Sequence, residues 1–296
     1  MYNITFRKRR GIMSLRKVFF GVFLSIFLFI TSSTTYAEEI NLKIDGVAIP
    51  SDVKSEIKKG RTMVPIRVIS ENLGAIVDWS DSKVTLTKGD MKVILDLKST
   101  TAEKNGEQIR LDVKPYKKND RIMVPLRFIA ETFGSEVSFS NYTVTIDTEP
   151  LYIDGVQVKA FRYEFWMTMG SKVQQSEGNA FNTAFYDIFM ENKGVEVEAP
   201  EDDLIEAGID SPLSYSSGSQ YDFLDQEGNS IKRFKIYYLS INVPNELGEG
   251  YPEYLLYDAV GDKWYTFNGN AEESIWQLID TATRNGFMKT ISNTVV

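Results

Sequence analysis

The sequence predicts an α+β protein: a duplicated strand–helix–strand module on an antiparallel sheet, followed by a second α+β domain. Three observations carry that prediction. Residues 61–86 (RTMVPIRVISENLGAIVDWSDSKVTL) and 121–146 (RIMVPLRFIAETFGSEVSFSNYTVTI) match without a gap at an offset of 60, with 12 of 26 positions identical. Within each copy the apolar period passes from two to 3.6 and back, which reads as strand, helix, strand. Beyond residue 150 the copies stop and the charge changes: residues 38–150 hold 17 basic and 18 acidic residues, residues 151–296 hold 10 and 23.

The chain opens with an expected leader over residues 1–37. Six basic residues, Arg7 to Lys17, precede the 13-residue apolar run Val18–Ile30, and the small, polar segment TSSTTYA ends at Ala37. That order is a signal peptide's, and the run is short for a bilayer span of about 20 residues. Met13 would open a leader of more ordinary length. An uncleaved N-terminal anchor is the alternative, and the leader is the sole membrane contact expected.

The elements of the first copy follow in order. Asn41 to Ile49 alternates about Asp45-Gly46, a hairpin signal. Arg61 to Val64 reads as a short strand. Pro65 suits a first helical turn, where its missing N–H costs nothing. Ile66, Ile69 and Leu73 form one apolar helix face, and Gly74 falls where a helix end needs a left-handed residue. Ala75 to Trp79 and Val84 to Leu86 read as strands. The second copy repeats this with Pro125, Leu126, Ile129, Phe133, Gly134 and Phe139. A third copy starts at LYIDGVQV (151–158) and stops, which places a boundary near Glu149-Pro150. This segment is expected either to open a new sheet or to complete the module's.

The segments RTMVPIRVISENLGAIVDW and RIMVPLRFIAETFGSEVSF resemble the paired motif of the copper amine oxidase N-terminal domain family, also called the stalk domain, over about residues 40–147. The motif positions are Arg61, Pro65, Arg67, Glu71, Gly74 and Trp79, then Arg121, Pro125, Arg127, Glu131, Gly134 and Phe139. The resemblance implies a small α+β stalk and a cell-surface or wall-associated setting in a Gram-positive organism. It does not imply amine oxidation. In the oxidases histidines of a separate catalytic domain hold the copper, and this chain has neither that domain nor a histidine.

Composition excludes several chemistries outright. With no Cys and no His, the chain can form no disulfide, no Ser-His-Asp triad, no Cys-His dyad, no zinc hydrolase site and no His-ligated copper site. No cofactor and no copper is expected. Without the leader, 27 basic and 41 acidic residues leave a net charge of −14, which disfavours nucleic acid.

The second half matches no family by eye. Phe161 to Met190 carries aromatics at mixed helical spacing, broken at Gly170 and Gly178. Residues 195–220 read as an acidic, then Ser- and Gly-rich loop. Ile231 to Val243 reads as a strand, and Glu253 to Phe267 as a hairpin turning at Gly261-Asp262. Asn270 to Glu273 resembles a capping box opening a helix to Arg284.

Candidate sites were weighed on residue type. Arg67/Glu71 and Arg127/Glu131 stand four apart on their helices: either ligand-binding pairs or, as favoured, surface ion pairs in the weaker orientation. The acidic run Glu198, Glu201, Asp202, Asp203 and Glu206 lacks the spacing of a Ca²⁺ loop, and Asp225 to Asn229 reads as a turn. Trp166, Tyr257 and Trp264 are the candidate sugar-stacking surface, against a core role for such aromatics. The expected function is an exported, non-catalytic cell-surface or wall-associated binding or scaffold protein, with a cell-wall polymer or surface protein as partner. The alternatives are a carboxylate-dependent wall-glycan hydrolase housed in residues 151–296, and a cation-dependent adhesion protein.

Overall fold

The two copies fold into matching pieces and then exchange them. The computed structural model describes residues 40–167, 169–206, 213–240 and 250–295; the expected leader lies outside these residues, as do residues 241–243 of the strand expected over 231–243. The first copy comprises the hairpin β1 (Asn41–Ile44) and β2 (Val47–Ala48), the hairpin β3 (Glu56–Lys58) and β4 (Arg61–Pro65), helix α1 (Ile66–Asn72), then β5 (Ile76–Ser80), β6 (Lys83–Lys88) and β7 (Met91–Asp96). The second runs through β8 (Thr101–Lys104), β9 (Glu107–Arg110), β10 (Tyr116–Lys118), β11 (Arg121–Pro125), α2 (Leu126–Thr132), β12 (Glu136–Ser140) and β13 (Thr143–Asp147). Ile66, Ile69, Leu73, Leu126 and Ile129 are buried, as the helical spacing requires. Gly74 and Gly134 follow their helices at φ +79° and +75°. Pro65 lies one residue earlier than expected, ending β4 with φ −60° and ψ 127°. Its fixed φ suits an extended strand end as well as a helical turn, and here the ladder takes it.

Strand β4 pairs antiparallel with β11, so that Val64 faces Val124 and Met63 faces Pro125. Equivalent residues 60 apart therefore meet, and a pseudo-two-fold axis passes beside the Val64–Val124 pair. A four-stranded sheet, β10-β11-β4-β3, straddles this axis. On either side hairpins are swapped. Strands β8-β9 of the second copy extend β5-β6-β7 of the first, and β1-β2 of the first copy join β12-β13 of the second. Two ion pairs obey the same exchange: Arg61 to Asp112 at 2.6 Å, and Arg121 to Asp52 at 2.5 Å. β1 runs parallel to β13, a departure from the antiparallel sheet expected. A strand reaching the other copy's sheet across a long connection is free to enter parallel, whereas a hairpin is not.

The third copy's turn, Asp154-Gly155, makes a separate two-stranded hairpin, β14 (Tyr152–Ile153) and β15 (Val156–Gln157), which joins neither the module's sheets nor the next one. The chain then forms β16 (Ala160–Met167), β17 (Gly170–Ser176), α3 (Asn179–Asn192), β18 (Lys193–Val197), α4 (Asp202–Glu206), β19 (Tyr215–Ser216), β20 (Ser219–Leu224), β21 (Ser230–Leu239), β22 (Tyr254–Asp258), β23 (Lys263–Phe267), α5 (Ala271–Arg284) and β24 (Met288–Asn293). The strands form one nine-stranded sheet in the order β18-β23-β22-β21-β20-β16-β17-β24, with β19 on β21.

The helical spacing expected across Phe161–Met190 holds only from Asn179 onward. Phe161 and Phe165, four apart, fit a helix and a strand alike. Tyr163 between them points to the same side, and that decides for a strand of period two. Phe161 stacks on Phe185 of α3 at 3.9 Å and 10°, while Tyr163 and Phe165 meet Trp276 of α5; Phe181, Phe185 and Phe189 do follow helical spacing and are buried. The expected loop over 195–220 instead holds β18, α4, β19 and the start of β20, with residues 207–212 outside the described set. Helix α5 begins at the expected place without the expected capping box: Asn270 is itself helical and makes no cap bond, while Asn268 Oδ1 accepts its N–H at 3.1 Å.

One buried apolar cluster runs from Leu42 and Ile44 through Ile69, Leu73, Phe161, Phe185 and Phe189 to Ile275 and Met288, so Glu39–Val296 is one compact unit. The join between module and sheet is specific. The Asp45 carboxylate, in the first Asp-Gly turn, accepts the Thr148 N–H at 2.9 Å, the Thr148 hydroxyl at 2.8 Å and the Ala180 N–H of α3 at 3.3 Å. A Cβ on Gly74 would stand 3.2 Å from Ala184 Cβ and 3.3 Å from the Ala180 carbonyl oxygen. Beside them burial pushes Lys88 below its usual range, against the opposing pull of Asp187, Asp45 and Glu149. At Gly134 a Cβ would meet nothing within 4 Å. Only the first copy's helix end packs on α3.

Candidate functional site

Strand register sorts the nine-stranded sheet into two faces. Phe161, Tyr163, Tyr221, Phe223, Phe234 and Leu256 face α3 and α5 and are buried. The other face carries two cross-strand rows. One is Gln175–Arg162–Asp222–Arg233; the second is Val173–Glu164–Gln220–Lys235–Tyr257–Trp264. Trp166, two residues beyond Glu164, stands on this face as well. The structure thus brings Trp166, Tyr257 and Trp264 to one side of one sheet.

Their roles differ. Trp166 is 37% exposed; its backbone N–H donates to the Gly218 carbonyl at 2.9 Å, and Lys235 Nζ lies 5.9 Å from its ring centroid. Trp264 is only 8% exposed, so it is a core residue rather than part of a contact surface. It sits in a small cluster with Tyr215 and Leu255, packed by Leu204 and Ile205 of α4. Tyr257 stacks on Trp264 at 4.6 Å, Tyr237 lies 5.0 Å away, and the Tyr257 hydroxyl donates to Asp262 at 2.9 Å. That hydrogen bond, then burial, pushes the Tyr257 phenol above its ordinary value.

Asp222 organises the polar row. It is buried and accepts from Ser230 Oγ at 2.5 Å, Arg233 Nε at 2.7 Å and Gln220 Nε2 at 2.8 Å. Arg162 is held by Gln175 Oε1 at 3.1 Å. A buried carboxylate held by three donors is a fixed anchor for the side chains around it. The face therefore offers aligned donors from Arg162, Gln220 and Lys235, one partly exposed carboxylate on Glu164, and a partly exposed indole. Such a surface has the groups to hydrogen-bond with and stack on a hydroxyl-rich ligand.

The module's motif residues lie elsewhere. Arg61 and Arg121 clamp the other copy's Asp112 and Asp52. Arg67 meets Glu71 at 3.3 Å and Arg127 meets Glu131 at 3.7 Å, exposed ion pairs on their helices. Trp79 and Phe139 are 49% and 51% exposed on the outer strands β5 and β12. Asp225 Oδ1 accepts the N–H groups of Glu227 and Asn229, making the expected turn. Asp222 carried no signal in the sequence; Asp45 reads there as a turn residue, but not as the acceptor that ties Thr148 and Ala180 together. Asp52 and Asp112 carried a signal: Asp52-Val53-Lys54 recurs as Asp112-Val113-Lys114, so carrying the repeat further upstream would have found them.

No curated protein and no solved structure matches the chain. Residues 43–148, which take in nearly all of the pseudo-two-fold module, match the family model described as the copper amine oxidase N-terminal domain.

Proposed function

We propose that the protein is an exported, non-catalytic surface binding scaffold, in which the copper amine oxidase N-terminal-type module is a rigid support and the open sheet face contacts a wall polymer. The observation that carries this reading is the group Arg162, Glu164, Gln220 and Lys235 beside the partly exposed Trp166 indole, with Gln220 held by Asp222 and Arg162 by Gln175. The module's family is non-catalytic in amine oxidases, and a chain without histidine or cysteine lacks the imidazole and thiolate ligands of copper. A glycan hydrolase would need two carboxylates about 5–10 Å apart across a cleft. Glu272 has a raised pKa from burial alone. Asp187, raised by burial and then by Glu191, faces Lys88 at the join with the module, not a cleft.

The test is sedimentation of the full mature chain with purified cell wall, alongside Trp166→Ala and Lys235→Ala. Each variant is expected to lose most bound protein while keeping its melting temperature. Wild-type binding retained by both variants would remove the sheet face from the interaction, and release of reducing sugar from the wall would favour the hydrolase.

A further inference from the structure

A second surface lies on the module, well outside the sheet face. A groove of about 250 Å³ opens beside the second copy, lined by Ile57 and Arg61 of the β3–β4 hairpin, Leu126 and Arg127 at the start of α2, and Val137 and Phe139 of β12. Its walls are apolar side chains left in water: Ile57 is 61% exposed and Phe139 is 51% exposed. Exposed apolar groups gathered at a concave place mark a contact site more often than isolated ones do.

The chain supplies its own comparison. Shifted by 60 residues, Ile57 becomes Lys117 and Gly60 becomes Asp120, which form an ion pair at 2.9 Å. The second copy's hairpin thus carries charge where the first copy's supplies an aliphatic wall and a glycine, so the symmetry-related place beside α1 and β5 has no matching apolar wall. The groove is not a by-product of duplication; it exists where the copies diverge.

Charge and topology restrict what fits. Two guanidiniums stand at the rim. Arg61 is held at 2.6 Å by Asp112, but Arg127 is only loosely paired, at 3.7 Å from Glu131. Arg127 can turn to a new carboxylate and form a charge-assisted bond beside an apolar floor. Strand β12 is the outer strand of its sheet, with one backbone edge unpaired within that sheet. We infer that this groove binds an acidic polypeptide segment in extended form. The segment lays its backbone along β12, inserts a bulky apolar side chain between Ile57 and Phe139, and places a carboxylate on Arg127.

Isothermal titration of the full mature chain with a blocked six-residue peptide of alternating Glu and Leu tests this. Two counterparts replace every Glu by Lys or every Leu by Ala. The Glu–Leu peptide is expected to bind saturably and both counterparts about tenfold or more weakly, the loss one charge-assisted or buried apolar contact produces. Phe139→Ala and Arg127→Ala should each weaken binding by about the same factor, while Trp79→Ala and Arg67→Ala, the same positions in the first copy, should not. All four side chains are largely exposed, so unchanged melting temperatures verify the fold. No saturable binding, equal affinity for the Glu and Lys peptides, or equal losses from first-copy and second-copy variants would each overturn the proposal.

Discussion

Replacing Gly74 with alanine, and separately Gly134, measures how firmly the module is joined to α3. Both glycines hold the left-handed conformation, φ +79° and +75°, where an L side chain costs about 1–2 kcal/mol. That penalty is common to both variants and cancels in their difference. What remains is contact. At position 74 the new methyl would lie 3.2 Å from Ala184 Cβ and 3.3 Å from the Ala180 carbonyl oxygen, tighter than carbon packs at rest; at position 134 it would touch nothing within 4 Å. Helix α3 is anchored by fully buried Phe181, Phe185 and Phe189 and cannot easily retreat. Forcing a methyl into such a site costs about 1–3 kcal/mol more. A chain of this size shifts by about 2–4 °C per kcal/mol. Gly74→Ala should therefore melt about 2–12 °C below Gly134→Ala in calorimetry on the full mature chain, with the same order in urea midpoints. Equal losses in the two variants would refute the docking of α3 on the first copy.

Other perturbations separate buried from exposed roles. Trp264→Ala should cost about 3–5 kcal/mol in urea titration, as for a large buried ring, whereas Trp166→Ala should stay within about 0.5 kcal/mol. Double-mutant cycles on Arg61–Asp112 and on Arg121–Asp52 should each give a coupling of at most about 1 kcal/mol, shrinking in 1 M salt, because these side chains are about half exposed. Burial raises the pKa of Glu272 above its ordinary 4.5 even though it stands in the first turn of α5, where the helix dipole favours charge. Its protonated form is thus favoured by folding, a contribution present below pH 4.5 and lost as pH rises through the folded value. Glu272→Gln should raise the melting temperature at pH 7, with the advantage closing by pH 4; an equal gain at both pH values would count against the assignment.

The module was largely readable because its signals are local. The turn at Asp45-Gly46, the apolar stripe Ile66–Ile69–Leu73 and the left-handed Gly74 each specify backbone geometry within a few residues. What local pattern does not contain is pairing across the copies, so the swapped hairpins and the parallel β1–β13 contact appear only in three dimensions. In the second half, Phe161 and Phe165 suit either period, and assigning them needs a partner strand nearly 60 residues away, at Phe223. Among the aromatic candidates, Trp166 and Trp264 share a residue type and a sheet face. Only the covering of Trp264 by Leu204 and Ile205 of α4 tells them apart, and composition carries no information about that.

The exchange of hairpins about the Val64–Val124 axis bears on how such a module can arise and fold. A single 60-residue unit would present two unfinished sheets and one central strand paired on one edge only, and could complete them only by meeting another of its kind. Tethering the two units in one polypeptide turns that encounter into an intramolecular step at an effective concentration on the order of millimolar, independent of how dilute the protein is. Such a module holds its shape at any dilution because its partner half is never free to leave.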